Sequence, residues 1–176
     1  MINAKAVLRA QLARSLGLER YKEIMCGNPT SPEFQHAFNG YYRIRRNEEW
    51  RRHYYDLFVK AKIEHFSFGQ IITELYRLTE NVEASFSSKM LATIDASKPI
   101  WDQYVLQNLG LELMGKTQEE KVMNAIALYD QIVMWYADYL TTDEARENIY
   151  EFDRLLPEYA WVSETKKIDC LLWSKR

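Results

Sequence analysis

The sequence predicts an all-α fold, a single compact domain of about eight or nine packed helices spanning residues 1–176. Three observations lead to this prediction. Apolar residues recur at helical spacing along most of the chain, capping residues precede several of these stretches, and no segment alternates apolar and polar residues between hairpin turns. The length suits one hydrophobic core, and no repeat, low-complexity tract or linker divides the sequence.

The composition restricts the class of protein. Hydrophobic residues make up 47% and charged residues 27% of the chain, as expected for a globular protein. The net charge of −2 means that nucleic-acid binding would need a local basic patch. Cys26 and Cys170 form no C-x-x-C motif, which favours a reducing, cytoplasmic setting. Asp130 and Asp138 interrupt the apolar stretch 125–140, which predicts a core helix and no membrane association.

Five helices are predicted in the first half of the chain, each delimited by residues that start or end helices. The first carries Val7, Leu8 and Leu12 and ends at Gly17, and a short second helix covers residues 21–25. Residues able to cap a helix N-terminus begin the next three helices: Ser31 followed by Pro32, Asn47, and Ser67.

The second half contains five more predicted segments. They cover residues 82–94, residues 100–109 closed by Gly110, a capping-box helix from Thr117 and Glu120 to Leu140, a helix begun by Thr141 with Glu144 and stopped by Pro157, and residues 166–173. The last of these is expected to dock Leu171 and Trp173 onto the core.

The stretch "FNGYYRIRRNEEWRRHYYDLF" mixes arginines with aromatic residues. Guanidinium groups pair with phosphates, and aromatic rings offer faces for stacked bases, so one interpretation of the stretch is a patch that binds nucleic acid, such as double-stranded DNA. The predicted DNA-binding residues are Arg43, Arg45, Arg46, Arg51 and Arg52. In the alternative interpretation, Glu48, Glu49 and Asp56 neutralise part of this charge and the aromatic residues fill the core.

Lys89 and Asp102 are the candidate reactive residues. Lys89 follows small residues on the predicted helix 82–94, where desolvation would lower its pKa and make the amine a nucleophile; alternatively it extends to solvent from a helix contact. Asp102 follows Pro99 in the first turn of the next helix. There its carboxylate could stabilise positive charge developing on a sugar, or simply cap the helix.

No metal or cofactor is predicted. The pattern Glu33-x-x-His36 matches half of a carboxylate-bridged di-iron site, but the sequence has no second Glu-x-x-His, and His53 and His65 have no ligand spacing to it. The sequence also lacks the phosphate-binding and dinucleotide-binding glycine motifs and the G-x-S-x-G nucleophile motif.

Residues 78–111, "LTENVEASFSSKMLATIDASKPIWDQYVLQNLGL", resemble the helix-hairpin-helix DNA glycosylase superfamily, which includes 8-oxoguanine glycosylase-like proteins. The "PIWDQYV" segment matches the segment in which that family's catalytic aspartate opens a helix. The resemblance implies a helix-hairpin-helix glycosylase-like fold and a DNA repair enzyme that excises a damaged base flipped out of the duplex. It implies Asp102 as the catalytic aspartate, Lys89 as the nucleophile and Trp101 as a DNA-binding residue beside the pocket.

Two functions follow from these patterns. The first is a DNA N-glycosylase, possessing lyase activity if Lys89 is its nucleophile. The alternative is a catalytically inactive DNA-binding or protein-interaction module on the same fold. The net negative charge favours this alternative. So does the hairpin over residues 78–82, which lacks both glycines of the family pattern L-P-G-[IV]-G. In addition, an ungapped alignment places the nucleophilic lysine of the family's bifunctional members at Glu83 or Ala84 and not at Lys89.

Overall fold

The structure is a computed structural model that describes residues 17–174 together with Asn3 and Lys5. Over this part of the chain the secondary structure consists of nine α-helices and one short 3-10 helix, and contains no β-strand. The all-α prediction is confirmed for these residues. The predicted first helix, with Val7, Leu8 and Leu12, lies outside the described residues.

The helices follow one another with short connections. In chain order they are α1 (Leu18–Cys26), α2 (Pro32–Tyr41), α3 (Glu48–Glu64), α4 (Phe68–Thr79), α5 (Ala84–Ile94), α6 (Gln103–Leu109), α7 (Gln118–Leu140), α8 (Asp143–Leu155), the 3-10 helix (Pro157–Tyr159) and α9 (Glu164–Ser174). Helix α4 packs against α3, α5 and α7, and α9 packs against α6, α7 and α8.

Most of the predicted helix starts are confirmed, because capping is a local interaction. Ser31, Asn47, Ser67 and Thr117 each accept a hydrogen bond from a backbone N–H in the first turn of their helices. The prediction for α8 is wrong by one residue. Helix α7 continues until Thr141 ends it, and Thr142 Oγ1 then accepts from the backbone N–H of Ala145 at 3.1 Å.

Two other predicted helices begin later than expected. The helix predicted over residues 82–94 covers Ala84–Ile94 in the structure, and the helix predicted over residues 100–109 covers Gln103–Leu109. In the second case, Asp102 has extended backbone angles (φ −129°, ψ 149°), and the backbone N–H of Trp101 donates to Ser88 Oγ at 2.8 Å. The backbone before α6 is therefore held in contact with α5 and cannot extend the helix backwards.

Aromatic residues of the arginine-rich stretch fill the core, as the alternative interpretation of that stretch expected. Phe38, Tyr54 and Phe58 are almost fully buried, and their rings pack against one another. The buried Tyr54 hydroxyl donates to the backbone carbonyl of Phe86 at 2.8 Å, which satisfies its polar end. These rings therefore stabilise the contact between α2, α3 and α5.

Helix α7, the longest at 23 residues, is a core helix, as its sequence predicted. Ala125, Tyr129 and Ile132 are buried on one face, whereas Asp130 and Asp138 are exposed on the other. In the described ranges, no helix combines the length and the apolar character needed to cross a membrane.

The segment that joins α5 to α6, residues 95–102, is fixed by side chains from distant parts of the chain. Three hydroxyl groups donate to its backbone carbonyls: Tyr129 to Pro99 at 2.8 Å, Ser163 to Ala96 at 2.6 Å and Thr165 to Ser97 at 3.1 Å. Because these donors come from α7 and from the start of α9, the connecting segment is held between those helices. Asp102, at its end, is positioned by the same contacts.

Candidate functional site

A cavity of about 830 Å³ lies beside the start of α6. Its wall is formed by α1, the C-terminal end of α2, α5, the connecting segment 95–102, the start of α6 and one face of α9. Exposed residues such as Arg20 and Arg43 line it together with buried residues such as Lys166 and Asp169. The cavity therefore extends from the protein surface into the interior.

Lys89 lines this cavity from α5. Its side chain is half-buried, and its Nζ lies 5.0 Å from the centre of the Phe86 ring and 5.6 Å from that of Tyr42. Burial lowers the pKa of Lys89 to about 8; Lys166 acts in the same direction, and Asp102 opposes the shift. A substantial fraction of the amine is therefore unprotonated slightly above neutral pH.

Asp102 lines the same cavity and also caps α6. Its Oδ1 accepts a hydrogen bond from the backbone N–H of Tyr104 at 2.9 Å. In the described part of the chain, no carboxylate oxygen lies within 4.0 Å of Lys89 Nζ. Asp102 is therefore the cap of α6, as one of its two interpretations expected, and its carboxylate acts on Lys89 without a close ion pair.

One face of α9 supplies cavity residues that the sequence analysis missed. Lys166, Asp169, Cys170 and Trp173 follow the i, i+3, i+4, i+7 spacing of one helix face, and all four line the cavity. The opposite side of α9 packs into the core through Leu171 and its neighbours, as predicted for Leu171. The same prediction is wrong for Trp173, which is 38% exposed and lines the cavity, because it lies on the other face of the helix. The spacing of a lysine and an aspartate within this apolar helix is the signal that could have identified the face.

Lys166 is buried within a group of tyrosine rings. Its Nζ lies 5.0 Å from the ring centre of Tyr21, 5.5 Å from that of Tyr41 and 5.9 Å from that of Tyr42. Such rings attract a cation through the negative potential of their faces. Burial alone would lower the pKa of Lys166, but the surrounding groups, including Tyr41, Tyr42 and Asp169, outweigh burial and raise it well above its ordinary value.

Asp169 is buried one helical turn further along α9. The Tyr136 hydroxyl donates to Asp169 Oδ1, whereas Asp169 Oδ2 has no hydrogen-bond partner among the residues that the structure describes. Burial raises the pKa of Asp169 to about 6; Lys166, Tyr136 and the backbone N–H of Ile100 oppose this shift. The carboxyl group is thus mainly ionised at neutral pH.

The predicted DNA-binding arginines separate into groups. Arg43, Arg45 and Arg52 are exposed, and Arg51 is half-buried. Arg43 also lines the cavity, so the basic stretch begins at the cavity wall.

Arg46 has an intramolecular partner instead. Its Nη2 lies 2.7 Å from Oε1 of Glu83, which is only 5% exposed and also accepts from Trp50 Nε1 at 3.1 Å. The Arg46 guanidinium lies 5.5 Å from the Trp50 ring centre and 5.6 Å from that of Phe86. Arg46 therefore stabilises the contact between α3 and α5.

Trp101 lies in the core and not at the cavity wall. It is 6% exposed, and its ring stacks on Phe68 with centres 6.4 Å apart and an interplanar angle of 7°. The resemblance implied that Trp101 lies beside the pocket, and the structure corrects this prediction. The hydrogen bond from its backbone N–H to Ser88 holds this part of the connecting segment against α5, and the ring turns inward.

The hairpin between α4 and α5 forms without the glycines of the resembled family. Glu80 ends α4 in the left-handed conformation with φ +56°, and the Asn81 side chain donates to the carbonyl of Thr79 at 2.6 Å. The turn therefore tolerates a residue with a side chain, at some conformational cost.

Comparisons with known proteins identify no relative of this chain. No protein-family model matches the chain, and no curated protein or solved structure is similar to it. Within residues 17–174, no group of three or more His, Cys, Asp or Glu side chains is placed to hold a metal ion.

Proposed function

We propose that the protein is a DNA N-glycosylase-like enzyme that acts on a damaged base flipped out of the duplex into the cavity. One observation supports this proposal above the others: Lys89, with its lowered pKa, and Asp102 line the same cavity of about 830 Å³. A cavity of this volume is in the range of small-molecule sites and could hold a nucleoside.

The chemistry would begin with the neutral amine of Lys89. Its nitrogen attacks C1′ of the sugar, the C1′–N bond to the base breaks, and the base leaves with the bonding electrons. The Asp102 carboxylate stabilises the positive charge on the sugar and accepts the proton from the attacking nitrogen, and the departing base takes a proton from water. The sugar ring then opens: the C1′–O4′ bond breaks, O4′ takes the proton held by Asp102, and the nitrogen lone pair forms an iminium between Lys89 and C1′.

The iminium provides a direct test. Duplex oligonucleotides, each containing one oxidised, alkylated or deaminated base, would be incubated with the protein and sodium borohydride. Reduction of the iminium converts it into a stable protein–DNA adduct, which gel electrophoresis detects. We expect an adduct with the unmodified protein, none with Lys89→Gln, and formation slowed by roughly 100-fold or more with Asp102→Asn, because general-base assistance is typically worth that much.

Lys98→Gln is the matched control, because Lys98 belongs to the connecting segment and lies outside the cavity wall. It should form the adduct at the rate of the unmodified protein. An adduct that forms equally well with Lys89→Gln would contradict the proposed role of Lys89. An intact glycosidic bond with every lesion tested would contradict the proposed activity.

The inactive DNA-binding module remains a second candidate, because two specific observations favour it. The hairpin carries Glu80 where the family has glycine, and Asp102 Oδ1 is occupied by the cap of α6. This candidate predicts salt-dependent binding to DNA with no adduct on any lesion.

A further inference from the structure

Two residues at the end of α2 run against the preference of their own backbone, and both line the cavity. Gly40 lies in the last turn of the helix without a left-handed φ, a position that alanine would suit better. Arg43 follows the helix in the left-handed conformation with φ +54°, where glycine is preferred. The backbone N–H of Ile44 donates to the carbonyl of Asn39 at 2.9 Å, which is the hydrogen bond that accompanies a left-handed residue at a helix end.

The glycine at position 40 leaves room for the guanidinium of Arg20, which comes from α1. A Cβ atom added to Gly40 would lie 2.9 Å from Arg20 Nη1, and the three nearest atoms that it would meet all belong to Arg20. Arg20 therefore lies against the last turn of α2, close to the residue that carries the second guanidinium, Arg43. The two arginines come from different elements and line the cavity at the same end of α2.

Neither of these arginines has a partner among the residues that the structure describes. Both are exposed, and no carboxylate oxygen lies within 4.0 Å of either guanidinium. Arg46 differs, because it is paired with Glu83. An exposed arginine without a partner needs neither a glycine beside it nor a left-handed backbone, so the fold itself gives no reason for Gly40 or Arg43. Departures of this kind concentrate at functional sites.

We propose that Arg20 and Arg43 form a phosphate-binding subsite at the mouth of the cavity, which holds the phosphate group of the nucleotide whose base enters the cavity. In this subsite, N–H groups of both guanidiniums donate to the phosphate oxygens. A guanidinium offers a planar fork of donors that matches a phosphate, and it is always charged. The inference rests on the proposed function, because a nucleotide flipped out of DNA brings its phosphate to the outer end of the cavity.

Two carboxylates of α1, Glu19 and Glu23, also line the cavity. Glu19 accepts a hydrogen bond from the Tyr159 hydroxyl, so the 3-10 helix holds it. Glu23 lies three residues after Arg20, and its charge would repel a bound phosphate. Glu23→Gln should therefore strengthen the binding of a nucleotide, and weaker binding by this variant would contradict the inference.

Mononucleotides test this inference without DNA and without catalysis. Deoxyuridine, its 3′-monophosphate and its 5′-monophosphate would each be titrated at low salt into the isotope-labelled protein, with the backbone amide signals of Arg20 and Arg43 followed by NMR. The two monophosphates place the phosphate on either side of the sugar. We expect at least one of them to bind about tenfold more tightly than deoxyuridine, because hydrogen bonds between charged groups are the strong ones.

Two substitutions should remove this preference without weakening the fold. Arg43→Gly removes one guanidinium and relieves the left-handed conformation, and Gly40→Ala displaces the flexible end of Arg20 and favours the helix. Each should lower the affinity of the preferred monophosphate about tenfold, toward that of deoxyuridine. Neither should lower the midpoint of thermal unfolding, because each restores the residue type that the backbone prefers.

Arg146→Gln is the matched control for the loss of an arginine. Its guanidinium is exposed, lies outside the cavity wall and donates to the carbonyl of Thr141 at 3.0 Å. This variant should retain the preference for the monophosphate. An equal loss of affinity with Arg146→Gln would show a general effect of charge and would overturn the subsite.

The outcomes separate this inference from the proposed activity. A preference for a monophosphate that Arg43→Gly and Gly40→Ala abolish, together with no borohydride adduct on any lesion, would support the subsite and overturn the glycosylase proposal. An adduct, together with equal binding of deoxyuridine and both monophosphates, would overturn the subsite and support the glycosylase. Failure of both monophosphates to shift the signals of Arg20 and Arg43 would also overturn the subsite.

Discussion

Lys89 illustrates at the scale of a residue how the surroundings of a side chain determine its chemistry. Burial in the cavity wall and the Lys166 charge disfavour its ammonium form, and the Asp102 and Glu83 carboxylates favour it. Burial prevails, so the pKa falls to about 8 from its ordinary value of 10.5. A surface lysine would lack this property.

The lowered pKa predicts how Lys89→Met changes stability with pH. Between pH 8 and 10.5 the unfolded chain holds the Lys89 proton and the folded chain releases it, so the stability of the unmodified protein rises relative to the variant. Below pH 8 both the folded and the unfolded chain hold the proton, so the difference in free energy of unfolding between Lys89→Met and the unmodified protein no longer changes with pH. We expect the difference in free energy of unfolding to shrink by about 1.4 kcal/mol per pH unit across this window.

Urea denaturation of both proteins from neutral pH to about pH 10 measures this difference. Lys62→Met on the exposed side of α3 controls for the loss of a lysine away from the cavity. A difference between the unmodified protein and Lys89→Met that stays constant with pH would show that the amine is not held in its neutral form.

At the scale of an element, the short helix α6 determines where the Asp102 carboxylate lies. The connecting segment 95–102 is fixed to α5, α7 and the start of α9, and α6 begins at the end of that segment. Asp102 therefore serves the helix through Oδ1 while its carboxylate faces the cavity. The structural and the proposed catalytic roles can be separated, because asparagine also caps helices well.

Substitution of Asp102 tests this separation. Asp102→Ala removes the acceptor for the Tyr104 N–H and should lower the free energy of unfolding by about 1 kcal/mol. Asp102→Asn keeps the cap and should change stability little, while it removes the charge. Chemical denaturation measures the free energy of unfolding of both variants. Thr142→Ala removes the side-chain cap of α8 and shows how much stability the loss of one helix cap costs in this protein. Equal stability of the alanine and asparagine variants would show that the cap contributes nothing.

At the scale of the whole molecule, the distribution of charge matters more than its sum. The net charge is −2, yet exposed arginines cluster between α2 and the first turn of α3, beginning with Arg43 at the cavity wall. Arg46 contributes less to this cluster, because its guanidinium forms an ion pair with Glu83. A DNA backbone bound by the proposed enzyme would lie along the remaining arginines.

Salt dependence of DNA binding tests this arrangement. If Arg45 and Arg52 contact phosphates, the double variant Arg45→Gln/Arg52→Gln should weaken binding and reduce the slope of log affinity against log salt by about 1.8. Arg46→Gln is the contrasting variant: it should leave the slope unchanged and lower stability, because the buried Glu83 loses its partner. Fluorescence anisotropy with a labelled duplex measures the slopes. Identical slopes for all three proteins would exclude these arginines from the interface.

The sequence by itself determined the local features of this protein. Helical class and the caps at Ser31, Asn47, Ser67 and Thr117 depend on residues within one turn of each other, and they were predictable for that reason. The boundary at Thr142 was missed by one residue, because two adjacent threonines offer the same cap chemistry and the end of α7 decides between them.

Only the tertiary structure decided which side chains share the cavity and which lie in the core. Trp101 and Asp102 are neighbours in sequence, yet the packing of the connecting segment turns one ring inward and one carboxylate toward the cavity. Lys166 and Asp169 line the same cavity as Lys89 because α9 packs against α6 and brings the last helix next to the middle of the chain. Burial and charge proximity depend on such long-range contacts, so the pKa shifts of these residues were not visible in the sequence.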